Sequence, residues 1–330
     1  MDDSPLKRAT LKDVARTADV SLASASYALN GTGSLGDAVR AHILKVADEL
    51  GYRRNLSARA MRTGRTGAIG LVVPDFANPF FTALAQFVMR TARTAGYCVF
   101  VTDTENSEAL EREAFHRMID RGVDGVVWFP IRDVNTVEAE SKRVPTLLLD
   151  RSIAGLPSIQ ADYAGGGRQA AEHLMALGHD RIGLVTGPMD VASMRARVEG
   201  ARDMLGERVV FEVASAFSME LDPAAQAAVA SRRATAVFAG TDLIAMGVVR
   251  AAQTAGIGIP DELSVVGFGD VAWAQMTQPP LTSIEMPLED MANEAVEALL
   301  RRIDGVSGDV DMIFDTRLIV RASTGVAARL

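Results

Sequence analysis

The residues of this chain best suited to recognition chemistry lie in the stretch TLKDVARTADVSLASASYALNG, from Thr10 to Gly31. Leu22, Ala23, Ser26 and Tyr27 share one side of a predicted helix, opposite a narrow apolar stripe of Ala25, Ala28 and Leu29. Two small apolar groups, a hydroxyl and a phenol suit contact with base edges and phosphates in a major groove, not bond-making. The same residues also fit an ordinary helical hairpin within a larger α domain. Enzyme chemistry has less to work with. His42, His116, His173 and His179 fall in predicted helices or at a helix end, with no nucleophile or metal-ligand cluster beside them. There is no GxGxxG after a strand and no GxxxxGK[ST]. The Gly165-Gly166-Gly167 run lacks a P-loop lysine and reads best as close helix packing.

The elements that must carry this face follow from local signals. Thr10 caps a first helix with Asp13 at the reciprocal position, and Leu11, Val14 and Ala15 form its inner face. Asp19 and Val20 make the turn, Ser21 caps the second helix and Asn30-Gly31 stops it. A third helix from about Gly36 to Leu50, with Val39, Ile43, Val46, Ala47 and Leu50 inward, closes a small core on which Tyr52 packs back. Arg53 to Gly67 is then a basic stretch whose helical centre is too short to be stable alone in water, so it needs DNA or a partner copy to fold against.

From Ala68 the pattern alternates apolar strands with amphipathic helices, which predicts parallel sheets covered on both faces and two Rossmann-like halves with a cleft between them. Within it, Asp133 to Lys142 reads as a helix and Asp311 to Arg321 as a strand. The single cysteine, Cys98, is expected as a small buried strand residue in a reducing compartment. No N-terminal h-region or membrane-length apolar run is present, which predicts a cytoplasmic protein with no membrane partner. The net charge of −8 is divided unevenly. Residues 1–66 hold 11 Lys and Arg against 7 Asp and Glu, and the remainder 23 against 35. A basic head on an acidic body suits a chain in which only the head meets phosphate.

Taken in order, TLKDVARTADVS, ALNG, LGYRRN, ARAMRTGRTGAIGLVVPDFANPFF, VDGVVWFP, LLLDR, EHLMALGHDRIGLVTGP, AGTDLIAMGVVRAAQTAGIGIPDELSVVGFGD, PPLTSI and LIVRAST resemble the LacI/GalR (lactose-repressor) family of bacterial transcription regulators over nearly the whole chain. The resemblance implies an all-α helix-turn-helix head and an α/β body of two Rossmann-like subdomains of the periplasmic-binding-protein type. The head would span residues 1–54, a hinge helix and linker 55–66, and an effector-binding and dimerisation body 67–330. The N-subdomain would take about 67–160 and 288–315 and the C-subdomain about 161–287 and 316–330, with crossings near 160, 285 and 315. A homodimer on a palindromic double-stranded operator is implied, with a small carbohydrate as effector, no cofactor and no metal.

Carried over residue by residue, the resemblance makes Leu22 and Ala23 the base-selecting positions. Being apolar, they would read thymine methyl groups or exclude bases by shape. Tyr27 stands where arginine is frequent. Thr10, Ser21, Ser26 and Asn30 would position phosphates. In the hinge, Met61 replaces a common leucine wedge, with Ala58 and Arg62 beside it in the minor groove, and Arg54 replaces a proline. Around the cleft, Asp150 and Arg197 would grip the vicinal hydroxyls of a sugar or a charged small metabolite, Phe217, Phe80 and Phe129 would wall the ligand, and Thr241 and Asp270 would complete the set. Gly269 occupies the place of a ligand-binding aspartate and Met286 that of a glutamine, so an unmodified hexose is a poor expectation. The competing classes fare worse: a periplasmic solute-binding protein leaves the basic head unexplained, and an enzyme lacks its machinery.

Overall fold

The computed structural model describes residues 9–53, 64–306, 308 and 311–327. The hinge positions Arg54, Ala58, Met61 and Arg62 lie outside the described residues. The chain divides into two compact units, Met1–Thr66 and Gly67–Leu330.

The first unit holds α1 (Leu11–Thr17), α2 (Leu22–Asn30) and α3 (Asp37–Glu49). Local chemistry sets their ends. Thr10 and Asp13 form a reciprocal capping box, Ser21 Oγ accepts from the Ser24 amide at 3.0 Å, and Gly31 ends α2 in the left-handed conformation at φ 69°. Val14, Ala15, Ala25, Ala28, Leu29 and Ile43 are at the centre of one small core, with Tyr52 packed against it. Val39 is exposed, contrary to expectation, because the buried face of α3 begins one turn later at Ile43.

The second unit contains two six-stranded sheets. The first runs in the order β11 (Asp311–Phe314), β5 (Ser158–Ala161), β4 (Thr146–Leu149), β3 (Gly125–Trp128), β1 (Ala68–Val73), β2 (Cys98–Asp103), and every pairing is parallel. The second runs β12 (Arg317–Ile319), β10 (Thr282–Glu285), β9 (Ser264–Gly269), β8 (Ala236–Ala239), β6 (Ile182–Thr186), β7 (Val209–Ala214), parallel except for β12 against β10. The central strands β1, β3, β4, β6, β8 and β9 are buried along their whole lengths, which is why they read as continuous apolar runs rather than alternating ones. The helices are α4 (Pro79–Thr94), α5 (Glu108–Asp120), α6 (Glu138–Ser141), α7 (Tyr163–Ala176), α8 (Ala192–Leu205), α9 (Pro223–Ala230), α10 (Asp242–Thr254) and α11 (Leu288–Ile303).

Three further expectations change in the body. Cys98 is exposed, because β2 is the edge strand of its sheet and alternates instead of running buried. The stretch from Asp311 to Arg321 is two strands in different sheets. It breaks at Asp315-Thr316, where the Asp162 amide donates to the Phe314 carbonyl at 2.8 Å and Gln169 Nε2 to the Thr316 carbonyl at 3.0 Å. The helix expected from Asp133 to Lys142 shrinks to α6. The cause is Glu111, fully buried on α5, which accepts from Trp128 Nε1 at 2.8 Å, from the Ile131 amide at 3.0 Å and from Thr136 Oγ1. Those bonds hold residues 131–136 as a loop, since satisfying a buried carboxylate outweighs helical propensity.

Candidate functional site

On the head, Leu22, Ala23 and Tyr27 stand exposed on one face of α2, Leu22 and Tyr27 by 47% and 48%. The Tyr27 ring is braced by Gly33, at φ +72°, where an added Cβ would meet the ring at 2.8 Å. Thr10 Oγ1 donates to Asp13 Oδ2 at 2.7 Å, and Ser26 Oγ accepts from Asn30 Nδ2 at 3.1 Å. The hydroxyls of Thr10, Ser21 and Ser26 therefore fix their own helices, and the face's uncommitted surface is apolar and phenolic.

In the body, a cavity of about 420 Å³ lies between residues of the two sheets' loops and helices, with Phe80, Asp150, Arg197, Phe217, Thr241 and Met286 among its walls. Asp150 follows β4 at φ 74°, a left-handed conformation that aspartate tolerates better than most residues. Tyr163, the first residue of α7, directs its hydroxyl at Asp150, 2.7 Å from Oδ1 and 2.8 Å from the carbonyl oxygen. Burial and then the neighbouring Asp150 charge push the phenol well above its ordinary range, so it acts as a fixed donor.

Arg197 on α8 is buried. It donates to the Gly240 carbonyl at 2.9 Å, and its guanidinium carbon lies 4.2 Å from the Phe268 ring centre and 4.9 Å from that of Tyr163. Its Nε is buried with no hydrogen-bond partner. Burial lowers its pKa and Asp150 raises it, but an arginine stays charged under either influence. Close helix packing places it: a Cβ on Gly167 would meet the Arg197 carbonyl oxygen at 2.0 Å, and one on Gly200 the Ala164 carbonyl at 2.2 Å. The triple glycine thus serves packing, and packing serves the arginine.

Two expected ligand residues stand elsewhere. Phe129 is buried behind Phe81, with ring centres 5.7 Å apart, and does not line the cavity. Asp270 is held by Arg321 at 2.6 and 3.0 Å and faces a separate acidic depression with Glu285, Glu289 and Asp290. Asp270 lies just past the end of β9 in a left-handed turn at φ 46°, and there its carboxylate is taken up by Arg321 instead of the cavity.

Besides Asp150, the cavity is lined by Asp242, the first residue of α10. Its Oδ1 accepts from Ser283 Oγ at 2.5 Å and its Oδ2 from the Val271 amide at 2.8 Å. Burial raises its pKa to about 6, against the hydrogen bonds of Ser283 and Val271, which lower it. Thr241 caps the same helix through the Ile244 amide at 3.3 Å. Asp133 matters differently. Helix α8 has Val191 at its N-cap and no side-chain cap of its own; Asp133, from the loop after β3, accepts from the Ala192 amide at 2.6 Å. Arg195 to Asp133 at 3.5 Å and Arg132 to Asp190 at 3.8 Å accompany it, so the two halves of the body are pinned across the cavity. In the sequence Asp242 reads only as a first-turn acid and Asp133 only as a loop residue.

Residues 10–55 match the family model for bacterial regulatory proteins of the lacI family, and residues 171–324 that for a periplasmic binding protein-like domain. The chain is 33% identical to the HTH-type transcriptional regulator MalR of Streptomyces coelicolor over 96% of this chain and 97% of that one. It belongs to the lacI family. It is also 31% identical to the ribose operon repressor of Halalkalibacterium halodurans, covering 96% of this chain and 97% of that one. Among solved structures it superposes on a lac repressor dimer bound to operator and the anti-inducer ONPF, with TM-score 0.83, 25% identity and coverage of 97% and 100%. It superposes likewise on a complex of the transcriptional regulator CelR with cellobiose, with TM-score 0.70, 28% identity and coverage of 96% and 100%.

Membership of the lacI family makes the chain a DNA-binding transcriptional regulator and not an enzyme. Its four histidines accord with structural work where they are buried. His179 bonds Thr235 Oγ1 and Ser264 Oγ, each at 3.0 Å, and burial lowers its pKa. Among the described residues no His, Cys, Asp and Glu group could hold a metal ion, and no helix is long and apolar enough to cross a membrane.

Proposed function

We propose that this chain is a cytoplasmic repressor that binds a palindromic operator as a homodimer and changes its operator affinity when a small carbohydrate occupies the body cavity. The observation that carries this reading is one side chain: Arg197, buried, stacked on two aromatic rings, with an unpartnered Nε at a cavity that also presents Asp150. A guanidinium and a carboxylate at one cavity are the donor and acceptor pair that adjacent hydroxyls require. Relatives named as ribose operon repressors, and the CelR complex with cellobiose, support a sugar.

The division of labour we assign is a head at 1–54, a hinge at 55–66 and a body at 67–330, crossing between subdomains near 160, 285 and 315. Leu22, Ala23 and Tyr27 read bases. Thr10, Ser21, Ser26 and Asn30 orient the helices on phosphate, and Ala58, Met61 and Arg62 enter the minor groove. Asp150, Arg197, Phe80, Phe217 and Thr241 hold the effector. Exposed Trp273 and Met276, on the 3-10 turn Ala272–Met276, supply apolar surface for a second copy.

The coupling between effector and operator is reciprocal and of order 1–3 kcal/mol. The test is selection of bound genomic fragments, then binding at several salt concentrations with sugars added singly. A palindromic site, affinity falling steeply with salt and a sugar that shifts it are expected. Equal sugar affinity with and without operator defeats the proposal.

A further inference from the structure

Helix α8 carries Ser193, Met194 and Arg197 to the cavity, and different halves of the body fix its two ends. From Arg197 onward it is held within its own half, since Gly167 and Gly200 let it lie against α7 more closely than a side chain would permit. Its first turn has no such support. Val191 at the N-cap offers no side-chain acceptor and the turn contains no acid, whereas α7 and α10 in the same half cap themselves through Asp162 and Thr241.

The missing acceptor comes from the other half. Asp133 Oδ2, in the loop after β3, takes the Ala192 amide at 2.6 Å, and a carboxylate there also meets the positive end of the helix dipole. Arg195 Nη2 lies 3.5 Å from the same oxygen, while its Nη1 donates to the Met189 carbonyl just ahead of the helix. The loop cannot follow α8 if the halves move apart, because Glu111 grips it on both sides of Asp133, at the Ile131 amide and at Thr136 Oγ1. The cap therefore exists at one relative placement of the two sheets and is lost at others. It is also nearly balanced. Asp133 Oδ1 is buried without a hydrogen-bond partner, so bringing the halves together takes water from one oxygen while giving the other an amide. A contact of small net worth suits a part that is made and broken as populations shift.

We propose that Asp133 is a positioning residue: from the opposite half of the body it completes α8, and so ties the approach of the halves to the setting of Ser193, Met194 and Arg197 against the effector. The inference rests on the reading that this cavity holds the effector. Its test uses the full-length protein, Asp133→Ala, and Asp133→Asn, whose amide oxygen still caps. Without sugar, hydrogen exchange read by mass spectrometry over residues 191–197 is expected to quicken about tenfold in Asp133→Ala and less than about threefold in Asp133→Asn, with α7 unchanged. Wild type and variants are then titrated calorimetrically with common pentoses, hexoses and disaccharides, ribose and cellobiose among them. The sugar that wild type binds should be held about tenfold more weakly by Asp133→Ala and within about threefold by Asp133→Asn. Unchanged exchange, or a rise that α7 shares equally, overturns the proposal. Exchange quickened in α8 at full sugar affinity makes the cap structural only, which also overturns it and leaves the sugar reading standing. Binding of no sugar by wild type overturns both.

Discussion

The recognition face of the head and the cavity of the body solve the problem of presenting side chains in opposite ways. The head builds its face from α2 alone: an Asn-Gly stop and hydroxyl caps set the helix, and Leu22, Ala23 and Tyr27 are left in the open. The cavity draws on segments from Asp75 to Met286, and its central arginine is buried, stacked and held by a carbonyl from another loop. An exposed face can therefore change its reading by substitution without disturbing the fold. A buried charged site cannot, because each of its groups also satisfies a neighbour.

The sharpest test of that contrast is Gly167→Val. The added side chain collides with the Arg197 carbonyl, so the body should lose about 3 kcal/mol or more of stability. In calorimetry the body transition moves and the head's does not; an unmoved body transition would break the comparison. Next is Tyr163→Phe, which removes the donor that fixes Asp150 inside the cavity. A loss of about 1–3 kcal/mol in effector affinity is expected, with effector-free operator binding unchanged.

Leu22→Asn, on the open face, should alter base preference at its contacted position by about 1–3 kcal/mol while leaving the melting temperature within a degree or so. Selection of operator variants reads the first quantity and thermal denaturation the second. The smallest effect is titration within the body. Burial lowers the His179 pKa, so its stabilising contribution is complete above the ordinary imidazole value of 6.5 and is lost as pH falls through the depressed one. Asp242 has the opposite sign: its pKa rises from 3.8 to about 6, so its contribution is present below 3.8 and lost as pH rises through 6. Asp242→Asn should delete the second trend and keep the first, a shift of a few degrees in melting profiles taken from about pH 3.5 to 7.5.

Much of this was legible in one dimension because it is local. Capping hydroxyls, the Asn-Gly stop and the apolar strand runs announce themselves within a few residues, and so do the glycines at 165–167, whose tight packing was expected from their run. What sequence misplaced depends on neighbours distant in the chain. Cys98 was expected buried but lies on an edge strand, a property of sheet order and not of the strand itself. Phe129 and Asp270 were expected in the cavity, yet one packs behind Phe81 and the other pairs with Arg321.

The amino-acid sequence by itself determined the helix-turn-helix grammar and the alternation that makes two parallel sheets, while Arg197 and Asp150 were singled out through the family resemblance. The first two are consequences of periodicity, caps and side-chain type, which a chain carries wherever it goes. Only the tertiary structure decided which acid reaches the cavity and which is turned away, that Glu111 holds a loop where a helix was expected, and that Asp133 caps a helix in the opposite half of the body. Each is a buried polar group finding its partner across the fold, and the free energy of leaving such a group unpaired exceeds the local preferences that sequence patterns report.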